Sequence, residues 1–298
     1  MGSLRSGSVK EIHQVQKDEL EFEFTDRISV FDKLIPSIIP GKGGTLCAEG
    51  AFWFKRAEKL GINTHFIEMT APNRFRVKRV DIIRDYDKMN SETTNYLIPL
   101  EFIARHYVAG SLHDRIGKGA IDPADLGFEE GHEVRYGEML PRPYLETSTK
   151  LERVDRLLGL EESLRISGLT KAEYDDILSI ILLLDEEIER EVSKRGLIHV
   201  DGKKEFAFDK DRNIMIIDVF GTADEDRFWD KAAWERGECI ELSKEFVRKY
   251  YEGIGYKASL YKARGRGMAE PDIPPLPGDM ITKASAIYRD LQYRITGV

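Results

Sequence analysis

Charged side chains alternate along the otherwise apolar stretch Leu197–Phe208. Asp201, Lys203 and Glu205 stand two residues apart, so an extended chain presents all three on one face. A metal held by Glu205, with the ammonium group of Lys203 beside it, would suit a polyphosphate, because a metal bridges phosphate oxygens while a lysine offsets the charge that develops during transfer. The alternative is a surface strand whose charges are solvated.

A second acidic position follows in the next predicted strand. The turn Asp209–Asn213 leads into Ile214–Phe220, where Asp218 interrupts an apolar run. A hairpin with paired residue numbers summing to about 423 would set Glu205 opposite Asp218, where like charges repel. A divalent cation removes that repulsion, and Mg²⁺ is expected because one or two carboxylates hold it while phosphate oxygens and water complete its coordination. We therefore predict Glu205 and Asp218 as metal ligands.

Two glycine-containing loops lie in the N-terminal part of the chain, at Gly7–Glu11 and Pro40–Gly44. Glycines let backbone N–H groups approach phosphate closely, and Lys10 and Lys42 would add positive charge. Neither loop has the spacing of a P-loop, so two ordinary turns are the alternative.

A possible anion clamp follows the strand-like segment Ile98–Val108. Gly110 and the hydroxyl of Ser111 form a loop that could hold an anionic group, and Arg105 could clamp it bidentately. The alternative is a buried structural arginine.

The segment 122–155 is predicted to be irregular, with Ser148, Thr149 and Lys150 in a loop. The clearest helix begins at Thr170, where Glu173 completes a capping box, and ends at Gly196. It should brace the charged strand that follows it. The other expected elements are a strand-rich part at Val9–Arg84 interrupted by a helix at Ala48–Leu60, and helices at Cys239–Tyr251 and Met280–Ile295.

Composition limits the function classes. The 298-residue chain carries a net charge of −8, which disfavours general nucleic-acid binding. No apolar run approaches the roughly 18 residues that span a membrane, and the N-terminus has no apolar secretion signal. We therefore expect a cytoplasmic protein that binds neither nucleic acid nor membrane, with its two cysteines reduced. Only three glutamines and five asparagines accompany many charged residues, which favours a thermophilic source.

Six ordered motifs give the chain a family resemblance: TDRISVFD, IPGKG, ARHYVAGS, LPRPYLETSTK, LIHVDGKKEF and DEDRFWD. Together they resemble the phosphoribosylaminoimidazole-succinocarboxamide synthase (SAICAR synthase) family, from about Gly7 to the closing YRDLQYRITG. The resemblance implies ATP-dependent and Mg²⁺-dependent joining of L-aspartate to the carboxylate of CAIR, an imidazole ribonucleotide, through an acyl phosphate. The products would be SAICAR, ADP and phosphate, in de novo purine biosynthesis. It also implies an α+β fold with a smaller strand-rich domain at 1–94, a larger domain at 95–298 and ATP in the cleft between them. A homodimer is a further expectation.

The resemblance also implies residue roles. Lys203, Asp201 and Arg227 would be catalytic, and Glu205 and Asp218 would hold the metal. The residues implied in ATP binding are Gly7, Lys10, Lys42, Lys203, Glu205 and Asp218. Those implied in substrate binding are Arg105, Gly110, Ser111, Lys150, Asp224 and Arg227. Asp26, Arg27, Ser29, Ser148 and Thr149 would lie near the cleft.

The chain departs from the family pattern at several positions. Ser8 stands where a lysine usually follows the first glycine, and Val219 and Ala223 stand where the family usually has an acidic residue and a proline. Val154 replaces the histidine of a usual His-Asp pair. A small-molecule kinase, or a non-catalytic nucleotide-binding relative, is therefore the alternative function.

Overall fold

The computed structural model describes residues 3–7, 9–242 and 244–298. Ser8, one of the family departures, lies outside this part of the chain. The strands are β1 Ser3–Ser6, β2 Lys10–Gln16, β3 Glu19–Phe24, β4 Arg27–Val30, β5 Lys33–Ile38, β6 Phe66–Ala71, β7 Arg74–Lys78, β8 Leu97–Tyr107, β9 Met139–Thr149, β10 Leu157–Leu158, β11 Leu197–Phe208, β12 Ile214–Ile217 and β13 Asp226–Asp230. The helices are α1 Lys42–Lys59, α2 Gly110–Gly117, α3 Leu160–Ser167, α4 Lys171–Val192, α5 Lys231–Trp234, α6 Lys244–Gly253, α7 Tyr256–Gly265 and α8 Gly278–Thr296.

The N-terminal strands form an antiparallel sheet in the order β1-β2-β3-β7-β6, with β4 and β5 as a separate pair. Alternation along β3 buries Phe22 and Phe24 against α1, as a half-buried strand requires. A second sheet has the order β10-β9-β8-β11-β12, and β13 pairs with the first half of β11. Strand β11 is therefore bordered by β8 on one side and by β12 and β13 on the other.

Helix α1 begins at Lys42 and not at the predicted Ala48. The Asp26 carboxylate accepts hydrogen bonds from the backbone N–H groups of Gly41, at 3.1 Å, and Gly43, at 2.9 Å. It therefore satisfies donors that a helix start leaves unpaired. A Cβ atom at Gly43 would lie 2.5 Å from the Phe24 carbonyl oxygen, so only glycine fits there. The predicted glycine loop at Pro40–Gly44 is thus mostly a helix N-terminus.

Two further predictions about β-structure were wrong. Ser148 and Thr149 lie in β9 and not in a loop, because both residues pair with β8. In the hairpin, Glu205 pairs with Ile217, so the predicted register is off by one residue. Strand β12 ends at Ile217, and Asp218 turns out of the sheet with a left-handed φ of 61°.

Helix α4 confirms the predicted brace. The Thr170–Glu173 capping box is formed, an apolar stripe faces the core, and Gly196 ends the segment with a φ of 73°. The helix packs against β11 and α8. In the C-terminal part, α6 begins at Lys244 and not at Cys239, and α7 was not predicted.

The two sheets share one hydrophobic core. Phe54 of α1 packs edge-to-face on Phe220, with ring centroids 5.5 Å apart, and Thr64 bridges to Ile216 of β12. Cys47 and Cys239 are both free thiols. Among the described residues, no helix combines the length and apolar character that crossing a bilayer requires.

Candidate active site

A trench runs along the charged face of β11. It consists of four cavities, each sharing lining residues with the next, with volumes of about 280, 200, 390 and 580 Å³. The first cavity lies between the two sheets, and the fourth is bordered by α2, α6 and α7. The trench therefore connects the N-terminal sheet to the C-terminal helices along one face of β11.

The first cavity is an apolar slot with a charged mouth. Its walls come from both sheets and include Ile12, Leu20, Phe22, Val77, Leu97 and Ile217. Lys10, Lys150, Glu205 and Asp218 line both this slot and the second cavity. A flat apolar group could enter the slot while an anionic group attached to it reached the lysines.

The two predicted metal ligands stand at this mouth, and each contacts a lysine. The Lys150 Nζ lies 2.5 Å from the Glu205 Oε2, and the Lys10 ammonium contacts the Asp218 carboxylate. Burial would raise the pKa of Glu205, but nearby Lys150 and Lys203 outweigh it and the pKa is lowered. Burial lowers the pKa of Lys10 to about 8. Both ligand candidates thus offer hard oxygen atoms, which fits Mg²⁺.

Lys203 stands where the second and third cavities meet. Its Nζ lies 2.9 Å from the Glu101 Oε1, 3.4 Å from the Glu225 Oε2 and 3.8 Å from the Glu205 Oε1. Burial would lower its pKa, but these carboxylates raise it well above the usual range. The side chain therefore favours its charged form, and it lies in the middle of the trench.

Arg227 lines the third and fourth cavities. Its Nε lies 3.4 Å from the Asp201 Oδ1, and its Nη1 lies 3.3 Å from the Glu241 Oε1. A Cβ atom at Gly110 would lie 2.7 Å from the Arg227 Nη2, so the glycine leaves room for the guanidinium. Asp201 thus orients a cation toward the fourth cavity.

Arg105 is buried beside this group, 7% exposed, and does not line the four cavities. Its Nε donates to Glu146 at 2.7 Å, and its Nη2 donates to the Ser111 Oγ at 3.2 Å. Its Nη1 lies 3.3 Å from the Asp201 Oδ2. This geometry matches the alternative of a structural arginine, which would orient Ser111 and Asp201.

Lys42 is likewise buried behind the trench. Its Nζ donates to the Asp224 Oδ2 at 2.7 Å, and the Tyr288 hydroxyl donates to the Asp224 Oδ1 at 2.6 Å. Burial would raise the pKa of Asp224, but Lys42 and Lys244 lower it to about 2. Lys42 is completely buried, so in this conformation it holds Asp224 and does not face a phosphate.

Glu49 of α1 is a buried carboxyl that the sequence reasoning missed. It is 0% exposed and accepts a hydrogen bond from the Ala223 N–H at 2.9 Å. A proline at 223, as in the family pattern, could not donate this bond. Burial raises the pKa of Glu49 from 4.5 to about 8.

This pKa gives stability a specific pH dependence. Folded Glu49 holds a proton that the unfolded chain has lost between pH 4.5 and about 8, so stability falls as pH rises through this window. Glu49→Gln keeps an acceptor for Ala223 and cannot ionise. We expect wild type to lose on the order of 4 kcal/mol more than the variant across the window, measured by urea unfolding. Parallel pH profiles for the two proteins would contradict this.

Most of the predicted site residues come together. Those that line the trench are Gly7, Lys10, Gly110, Ser111, Lys150, Asp201, Lys203, Glu205, Asp218, Asp224 and Arg227. Arg105 and Lys42 lie behind it. Glu101 was missed, although a single acidic residue within the apolar strand β8 is the same signal that singled out Asp218.

Known proteins resemble this chain over its whole length. The SAICAR synthetase family model matches residues 3–262. A phosphoribosylaminoimidazole-succinocarboxamide synthase from Thermoplasma acidophilum is 52% identical over 297 residues, covering 100% of this chain and 99% of the relative. A putative enzyme of the same name from Archaeoglobus fulgidus is 35% identical, with 98% and 93% covered.

Two solved structures share the fold. The SAICAR-synthase from Saccharomyces cerevisiae complexed with SAICAR superposes with a TM-score of 0.76 at 22% identity, covering 100% of this chain and 95% of that one. A type-2 SAICAR synthetase in complex with ADP gives a TM-score of 0.69 at 26% identity, with 99% and 97% covered. The family-model match and the 52% identical relative together show that this chain belongs to the SAICAR synthetase family.

Proposed function

We propose that this protein joins L-aspartate to the carboxylate of CAIR at the expense of ATP, giving SAICAR, ADP and phosphate in purine biosynthesis. The observation that carries the proposal is the continuous trench, which links an apolar slot with a charged mouth to a cavity at its other end that holds two arginines and two lysines. The names of the relatives and the solved complexes with ADP and with SAICAR support it.

The slot suits ATP. Its apolar walls would take the adenine, and the phosphates would extend past Lys10 and Lys150 toward Lys203. Glu205 and Asp218 would hold Mg²⁺, which would neutralise phosphate charge during transfer. ATP would displace the lysine contacts that both carboxylates now make, since its phosphates supply the counter-charge for those lysines.

The fourth cavity suits the phosphate of the ribonucleotide. Arg227 is oriented toward it by Asp201, and Ser111 adds a hydroxyl. Lys118, Arg248 and Lys257 also line the cavity, together with the carboxylates of Asp32, Asp114, Glu245 and Glu252. With its phosphate there, the imidazole carboxylate would extend into the third cavity toward Lys203.

The chemistry we propose proceeds in two steps. A carboxylate resists attack by an amine because oxide is a poor leaving group. Transfer of the terminal phosphoryl group of ATP to a carboxylate oxygen gives an acyl phosphate and ADP. The aspartate amine then attacks the acyl carbon, the C–N bond forms, the nitrogen gives up one proton to solvent, and phosphate leaves with the C–O bond electrons. Lys203 would stabilise charge on the transferred group, and the walls of the trench would hold the reactants in line.

Product analysis tests the proposal. Purified protein supplied with ATP, Mg²⁺, CAIR and L-aspartate should form SAICAR, identified by liquid chromatography with mass spectrometry. A boiled-protein sample is the control. If no SAICAR forms while the protein is folded and binds ADP, the proposed function is refuted.

Three broader properties are also proposed. A cytoplasmic location follows from a metabolic role with soluble substrates, and a homodimer follows from the family resemblance. A thermophilic source follows from the charge-rich composition, and two relatives come from Thermoplasma species. Light scattering would test the dimer, and a melting temperature in the mesophile range would contradict the thermophilic source.

A further inference from the structure

A second charged cluster is buried behind the trench, and one of its members, Asp226, also lines the third cavity. Lys204, Asp185, Asp226 and His199 are each at most 2% exposed in their side chains. The His199 Nε2 lies 2.7 Å from the Asp226 Oδ2, the Lys204 ammonium contacts Asp185, and the Lys204 Nζ lies 3.8 Å from the Asp226 Oδ2. We call these four residues the buried charge network.

Lys204 supplies a positive charge inside the buried charge network. Asp185, His199 and the adjacent His106 have donor atoms within 4.8 Å of one another, a spacing that could suit a metal ion. The Lys204 ammonium, however, already contacts Asp185, and the His106 Nε2 lies 2.9 Å from the other Asp185 oxygen. A metal would have to displace a buried ammonium that neutralises the same carboxylate. The cluster is therefore a set of buried ion pairs, which are costly unless each charge is partnered.

Asp226 connects this network to the trench. Its Oδ1 accepts a hydrogen bond from the Gly221 N–H at 2.8 Å. Its Oδ2 lies over Gly202, where a Cβ atom would come within 2.1 Å. Gly202 stands in β11 between the trench residues Asp201 and Lys203. One carboxylate thus fastens the segment 218–225, which we call the acidic turn, to the strand that carries the central lysine.

The acidic turn needs such an attachment. It carries Asp218 and Asp224, both of which line the trench, and Asp218 has a left-handed backbone. The Trp53 Nε1 donates to the Gly221 carbonyl at 2.7 Å. Both the N–H and the C=O of Gly221 are therefore hydrogen-bonded to buried side chains. Without Asp226, the Gly221 N–H would be buried and unpaired, at a cost that favours a shift of the turn.

We propose that Asp226, held by His199 and Lys204, is a positioning residue for the ligase reaction: it sets the acidic turn against β11 so that Asp218 and Lys203 face the same phosphate groups. This inference rests on the proposed function. His199 and Lys204 offset the negative charge of Asp226. The hydrogen bond that Asp226 accepts from the Gly221 N–H fixes the position of the acidic turn.

The test compares Asp226→Ala and Asp226→Asn in the full-length protein. Asp226→Ala removes the acceptor for Gly221, and we expect kcat to fall about 100-fold, as for a misplacement on the order of 1 Å. Asp226→Asn keeps an acceptor oxygen, so its kcat should be about tenfold higher than that of Asp226→Ala. Hydrogen exchange followed by mass spectrometry should show faster exchange in peptides covering 218–225, most in the alanine variant. Affinity for ADP without Mg²⁺ should stay within about threefold of wild type, because the slot walls lie elsewhere.

Glu187→Gln is the matched control. It removes an equally buried carboxylate, 5% exposed, which pairs with Arg56 away from the trench. It should lower the melting temperature without changing kcat or exchange in the acidic turn. If Asp226→Ala does not fold, Asp226→Asn alone tests the inference. The expected result is then a kcat about tenfold below that of wild type, together with faster hydrogen exchange in the acidic turn.

Wild-type kcat in the Asp226 variants, or a loss of kcat with unchanged exchange in the acidic turn, would overturn the inference. An equal loss in Glu187→Gln would also overturn it, because the effect would then be general destabilisation. A wild-type protein without ligase activity would refute the proposed function instead, and the exchange data would still report whether Asp226 holds the turn.

Discussion

Lys203→Met should lower the rate of SAICAR formation by about 10³-fold, the loss seen when one preorganised charge-stabilising group is removed. Lys203 is the cation at the junction of the second and third cavities, and three carboxylates keep it charged. Methionine retains the length and apolar stem of lysine, and β11 is held by backbone pairing on both sides. The fold should therefore survive, and steady-state kinetics with circular dichroism would measure both effects.

Two variants make this result specific. Lys210→Met changes an exposed lysine in the turn after β11 and should leave the rate unchanged. Lys203→Arg keeps the charge in a larger, planar group and should recover only part of the activity. Near-normal turnover in Lys203→Met would remove Lys203 from the catalytic assignment.

Glu205→Gln and Asp218→Asn should each raise the Mg²⁺ concentration needed for half-maximal rate by about 100-fold, the upper range of losses for disturbed metal sites. Both amides are close in size to the carboxylates, and asparagine tolerates the left-handed backbone at position 218. The expected loss comes from removing one charged oxygen ligand of the metal. Titrating ADP release against free Mg²⁺ measures it.

Metal-free ADP binding is the internal control for these two variants. The apolar walls of the slot are unchanged, so affinity for ADP without Mg²⁺ should equal or exceed that of wild type, since a negative charge near the phosphates has been removed. An unchanged Mg²⁺ requirement in both variants would show that the metal binds elsewhere.

Period-two alternation is why the charged face of β11 could be predicted. Asp201, Lys203 and Glu205 all line the trench because a strand places every second side chain on one side. The pairing register could not be read, because β12 ends one residue before Asp218. A positive φ at an aspartate leaves no distinct mark in an apolar run.

Other parts of the structure depend on contacts between distant segments. The start of α1 is capped by Asp26, which precedes the helix by a full strand pair, so local signals placed it too late. The alternation along β11 places Lys204 on the buried face, yet lysine is almost never fully buried in proteins unless it is paired. Its partner Asp185 comes from α4, and only the folded chain brings the two together. Lys42 was predicted to contact a phosphate, but its ammonium contacts Asp224. This contact could not be predicted either, because only the folded chain brings these distant residues together.

The most direct test of the ligase assignment is the substrate dependence of ADP release by the purified protein with ATP and Mg²⁺. We predict release at full rate only when CAIR and L-aspartate are both present, with one SAICAR formed for each ADP. Full-rate release with CAIR alone would indicate a kinase or a hydrolase. ATP binding without release under any combination would indicate a nucleotide-binding protein, and either result would contradict the assignment.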